Sequence, residues 1–204
     1  MSFQWIIDTA QDIQISKRAV VAQTISRNQT VRAVSRGGRV WRFSVTPAAG
    51  HRWQDPNVRR YIEQIDKADR FTPTNVNFAG AGMQYIFGYQ GGQASTSGWS
   101  ASVTQGSDNI LVSGGSLTSG FRYRAGDIVQ FQGSTKVYSI VSDVAFNATT
   151  AQLNRPVLEA TGNYTLVSGT NCTWQVLCQS IPNYKITSTG IIEWSGTFEF
   201  IESI

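Results

Sequence analysis

One histidine and two cysteines are the chain's only imidazole and thiol groups, and none stands where it could share work with a partner. His51 lies between Gly50 and Arg52 in a segment that reads as a loop, where a lone imidazole is far more often solvated or locally bonded than a general base. Asp55, four residues on, has a structural task as the cap of a helix. Glu193 and Glu199 are six apart beside a terminal hairpin, and Asp127 follows a glycine at a strand start, so no acid/base pair emerges. Cys172 and Cys178 fall in an alternating run, which as a strand would hold them about 20 Å apart at about 3.3 Å per residue. No disulfide spans that distance, and two cysteines with one histidine do not make a structural zinc site. Both read as small apolar core residues. The GYQGG stretch from Gly88 to Gly92 lacks the lysine and the following helix of a phosphate loop. The sequons at Asn147 and Asn163 carry no meaning without secretion. We expect no enzyme, metal or cofactor.

With catalysis set aside, charge is the next signal. The net charge of +4 hides an asymmetry, because Lys17 to Arg60 holds ten basic residues against the single acid Asp55. The remainder is net acidic. Such a stretch fits nucleic acid or an acidic protein face, and the lack of aromatic interleaving favours the protein. No run of about 18 apolar residues could span a bilayer, and the N-terminus lacks the cationic start and apolar core of a secretory leader.

The elements that must position these groups are mostly strands. At 204 residues and 41% hydrophobic, with 19 glycines and one strong helical pattern, the chain reads as mainly β. Trp41, Phe43 and Val45 alternate with Arg42 and Ser44, as a half-buried strand requires. Arg36-Gly37-Gly38-Arg39 predicts a hairpin of residues 31–35 on 40–45. Asp55 and Pro56 mark a helix start. Val58, Tyr61, Ile62, Ile65 and Ala68 then give one apolar stripe over residues 56–69, which must lie on a sheet. Short strands are predicted at 3–7, 13–15 and 19–25, and around residues 76–78 and 85–87. Residues 88–106, nearly all small or polar with Trp99 as the one anchor, read as loop and edge strand. Strands at 110–112, 121–123, 127–131, 137–141, 151–153 and 164–167 suit a small barrel of the oligonucleotide/oligosaccharide-binding (OB) type. The last 35 residues return to longer alternating strands. The economical topology is therefore a discontinuous β-sandwich scaffold with one α-helix, residues 1–87 and 169–204, carrying an inserted OB-like barrel at 88–168.

The layout RGGRVWRFSV, DPNVRRYIEQID and WQVLCQSIPNYKITSTGIIEWSGTFEFIES resembles the distal tail proteins of long-tailed, non-contractile bacteriophages, most of all those of the T-five group. The resemblance covers the scaffold, about 120 residues, and is most specific in EWSGTFEF; the inserted barrel carries much less sequence specificity. It implies a structural virion protein, made in the host cytoplasm, whose copies form a hexameric ring between the tail tube and the tail-tip or hub proteins. DNA would pass through the ring without being specifically bound, and no membrane is entered. Arginines lining such a channel would grip phosphates. Arg32, Arg36, Arg39 and Arg42 are therefore expected at subunit or partner interfaces, paired with Glu193, Glu199 and Glu202 of a neighbour. Ring closure is expected to need the tube as template, leaving the purified protein monomeric. The alternative is a binding module whose barrel holds a host-surface carbohydrate or single-stranded nucleic acid on Tyr123, Phe131 and Tyr138. The favoured reading of those three rings is that they fill the barrel's interior.

Overall fold

The computed structural model describes residues 2–18, 21–25, 31–35, 39–68, 72–78, 84–92, 98–115 and 117–204. The first element is a helix, α1 (Ser2–Asp8), where a strand was expected. Its reason is the spacing of Phe3, Ile6 and Ile7, which are all buried and lie at i, i+3 and i+4. Strand β1 (Ala10–Ser16) follows, then β2 (Val21–Ile25), β3 (Val31–Ser35) and β4 (Arg42–Pro47).

The expected hairpin of residues 31–35 on 40–45 does not form. β3 pairs antiparallel with β2, and β4 with β1, Ser16 facing Arg42 and Val21 facing Ser35. β2 and β3 thus form a two-stranded sheet of their own, while β1 and β4 belong to the main sheet. Residues 26–30 and 36–38 lie outside the described residues. The alternation within β4 holds: Trp41, Phe43 and Val45 are buried and Arg42 is exposed.

Helix α2 (Pro56–Asp66) has Asp55 as its N-cap, the carboxylate accepting from Asn57 N at 2.8 Å, and Pro56 in its first turn. It ends earlier than expected, with Lys67 as C-cap. Val58, Ile62 and Ile65 are its buried stripe. That stripe does not lie flat on the large sheet. Ile65 reaches the main core, while Val58 and Ile62 pack with Ile192 of the C-terminal hairpin, and α1 lies beside α2.

Next come β5 (Thr74–Val76) and a four-residue helix α3 (Gln84–Phe87), the latter replacing the strand expected near 85–87. The barrel contains β6 (Ser100–Val103), β7 (Asn109–Ser113), β8 (Phe121–Tyr123), β9 (Ile128–Phe131), β10 (Val137–Ser139), β11 (Val144–Ala145), β12 (Thr150–Gln152) and β13 (Gly162–Ser168). The chain closes with β14 (Trp174–Ser180), β15 (Tyr184–Ile186), β16 (Ile192–Trp194) and β17 (Phe198–Glu202).

The scaffold's main sheet has the order β1-β4-β17-β14-β5, so the EWSGTFEF strand β17 lies at its centre. Phe43, Phe78, Trp41, Trp174, Phe198 and Phe200 pack on one face of it, Phe43 and Phe78 stacked at 3.7 Å between centroids. The barrel sheet has the order β10-β9-β13-β6-β7-β12. It curls until Ile140 bridges Leu153, with Val141 N donating to Gln152 O and Asn154 N to Ser139 O, both at 2.9 Å. The protein is mainly β, a sandwich-like scaffold with one main helix and a small barrel. β6, read as an edge, is interior to the barrel sheet and carries its neighbour Trp99 into the barrel core. The barrel's entry and exit are adjacent, since a Cβ on Gly169 would meet Tyr89 N at 2.9 Å.

Candidate functional site: the seam between scaffold and barrel

The densest polar cluster among the described residues lies where β9 and β10 face the scaffold. β17 delivers Glu202 and the segment after β12 delivers Arg155, the two side chains 0% and 3% exposed. Arg155 Nη1 donates to Glu202 Oε2 at 2.5 Å and Nη2 to Oε1 at 2.6 Å, a bidentate fork. The same guanidinium donates to Arg39 O at 2.9 Å and Val137 O at 3.0 Å. The carboxylate accepts from Trp41 N at 3.3 Å. Satisfaction on several sides is what makes such a buried pair tolerable, because each ion alone would carry a desolvation cost of several kcal/mol.

Five further contacts stitch the seam. Trp41 Nε1 donates to Val137 O at 2.7 Å. Gln130 and Thr173 exchange bonds, Nε2 to O at 2.7 Å and N to Oε1 at 2.9 Å. Lys17 Nζ donates to Ser139 Oγ at 2.7 Å and sits 5.0 Å from the Trp41 ring. Burial lowers the Lys17 pKa. Arg39 Nη1 donates to Asn154 O, and Lys136 Nζ to Ser203 O.

The expected interface set divides here. Glu202 is not available to a neighbour: it is buried, and the partner that neutralises it is Arg155 of its own chain. Glu199 accepts from Ser44 Oγ at 2.7 Å and Thr197 Oγ1 at 2.8 Å. Glu193 pairs with Lys185 at 2.8 Å. Arg39 and Arg42 are exposed. Arg36 lies outside the described residues, as does the side chain of Arg32 in β3.

Tyr123, Phe131 and Tyr138 are each 0% exposed, so they fill the barrel and present no platform. Tyr123 stands edge-on to Trp99 at 4.9 Å, and Tyr138 is 5.3 Å from Phe131. His51 is partly buried against Trp5 at 4.8 Å, and desolvation lowers its pKa with an opposing pull from Asp55. Among the described residues no group of three or more His, Cys, Asp or Glu could hold a metal ion.

The sequence reading missed Arg155, Gln130, Asn154 and Lys17. The available signal was the double-phase apolar pattern of Ile128, Val129 and Phe131 and of Val137, Tyr138 and Ile140, which marks strands buried on both faces. The sequence matches no protein-family model and none of the curated proteins compared with it.

Proposed function

We propose that the chain is a structural protein of a phage tail, a distal tail protein whose copies form a six-fold ring joining the tail tube to the tip. The resemblance in its scaffold is the starting point. The observation that carries the reading is the β2–β3 pair, a two-stranded ribbon that among the described residues pairs with no other strand. A two-stranded ribbon alone is marginal in water, and a neighbouring subunit would supply its cover. The centrality of β17 agrees, because the segment most specific in the resemblance is architectural: Phe198 and Phe200 fill the core.

On this reading the protein binds copies of itself and the tube and tip proteins, and catalyses nothing. Sedimentation velocity of the purified protein, with reconstruction of assembled tails into which labelled protein has been incorporated, tests it. Six labelled copies in one ring at the distal end of the tube are expected. Labelled protein excluded from tails, or placed elsewhere in the particle, would refute it.

A further inference from the structure

The seam brings an amine and a carboxamide to one residue. Lys17, the residue after β1, reaches over from the scaffold, and its Nζ donates to Ser139 Oγ at 2.7 Å. Asn154, in the segment after β12, meets the same serine from within the barrel. Its Oδ1 accepts from Ser139 N at 2.9 Å and its own N donates to Ser139 O at 2.9 Å. Ser139 thus holds Lys17 by its hydroxyl and Asn154 by its backbone. Arg39 of the scaffold holds the Asn154 carbonyl as well.

Both groups are left in reactive states. Only an oxygen can accept from Ser139 N, so the orientation of the Asn154 amide is fixed and its Nδ2 points away from that bond. Nδ2 is buried, and among the described residues it has no hydrogen-bond partner. A buried N–H group without a partner asks for an explanation. Lys17 meets no carboxylate among the described residues and lies 5.0 Å from the Trp41 ring. Burial lowers its pKa, which enlarges the fraction of amine with a free lone pair. The Ser139 N–H, already on Oδ1, stands where negative charge develops when a nucleophile adds to the amide carbon. An amide is a poor electrophile in water, and it yields to an amine held beside it for the lifetime of the fold.

We infer that Lys17 and Asn154 join in an isopeptide bond that staples the barrel to the scaffold. The Lys17 Nζ lone pair adds to Asn154 Cγ, and Oδ1 takes the negative charge under the Ser139 N–H. The carbonyl then re-forms and the Cγ–Nδ2 bond breaks. The proton shed by Nζ passes to Nδ2, with Ser139 Oγ as the acceptor at hand, and Nδ2 leaves as ammonia. No oxidant, metal or second substrate enters, and the orphaned Nδ2 is gone. The bond crosses the same seam as the Arg155–Glu202 pair. It is independent of the ring reading.

Intact mass spectrometry of the purified full chain, fresh and after long incubation in mildly alkaline buffer, tests the bond. The expected mass is one ammonia below that of the sequence. Trypsin should then fail to cleave after Lys17. Residues 1–18 should travel with residues 137–185, the Arg155–Pro156 bond resisting trypsin, as one branched peptide whose fragments place the join at Lys17 and Asn154. Lys17→Arg keeps the charge and lacks a neutral amine, and Asn154→Ala lacks the leaving group. Each variant should show its full mass, and Asn154→Ala should be cleaved after Lys17; circular dichroism checks that both are folded. A chain of full mass that is cleaved after Lys17, even after the incubation, overturns the bond. An ammonia loss that persists in Lys17→Arg also overturns it, since it marks a succinimide at an asparagine rather than a cross-link.

Discussion

The two walls of the barrel are built from the same kinds of strand and face different solvents. β6, β7 and β12 alternate: Ala101, Val103, Ile110, Val112 and Ala151 point in, while Ser102, Leu111 and Gln152 point to water. β9 and β10 do not alternate, every residue in both being buried. Their inward set is Val129, Phe131 and Tyr138, and their outward set is Ile128, Gln130, Val137 and Ser139. Ile128 and Val137 belong to the scaffold's hydrophobic cluster. An inserted barrel that swung freely would need polar residues there. This one shares a wall with its host, and the buried ion pair and the exchanged amide bonds satisfy the polar groups which that wall covers.

The largest test of that contrast is Glu202→Ala. It strands the Arg155 guanidinium in a dry seam, and the expected loss in denaturant unfolding is about 3–5 kcal/mol. Glu202→Leu combined with Arg155→Leu removes both charges and should recover most of the loss; a double variant as unstable as the single one would mean that packing, not charge, dominates the seam. Next comes the apolar pair. Ile128→Ala should cost about 2–5 kcal/mol, while Leu111→Ala, on the water-facing wall with its side chain 56% exposed, should fall within about 0.5 kcal/mol of the parent. Equal costs would erase the difference between the walls. Excising residues 88–168 is geometrically easy, because Tyr89 and Gly169 touch. The remaining scaffold would nevertheless expose Trp41 and an unpaired Glu202.

Much of this was legible in the sequence, and what was not shares a physical cause. Asp55, Pro56 and the stripe of α2, the alternation of Trp41, Phe43 and Val45, and most barrel strands follow from local signals of period and punctuation. So does the core placement of Cys172 and Cys178, both buried and neither in a disulfide. α1 was disguised because FQWII is a short apolar run, in which helix and strand cannot be told apart by period. The Gly37-Gly38 pair looked like a hairpin turn, but pairing is decided by which strands meet, and β3 meets β2. The seam was hidden more deeply. Arg155 and Glu202 are 47 residues apart and of types that are mostly exposed. Only the fold brings them together.

The smallest expected effect isolates the polar half of the contrast, using one residue type on both walls. Gln130 on β9 is 4% exposed and holds the Thr173 backbone by both its amide atoms. Gln152 on β12 is exposed and reaches only Asp108, at 3.4 Å. Truncating Gln130 to Ala takes both partners from the Thr173 carbonyl and N–H on the side covered by the buried Gln130 side chain, and the expected loss is about 2 kcal/mol. Truncating Gln152 to Ala exposes nothing that water cannot satisfy, and the expected change is under about 0.5 kcal/mol. Amide exchange adds a local readout, since Thr173 N–H should exchange faster in Gln130→Ala and unchanged in Gln152→Ala. If Thr173 stays protected when Gln130 is gone, water has entered the seam and taken over the bonds. The wall shared by barrel and scaffold would then be wet, and the distinction between the two walls would rest on apolar packing alone.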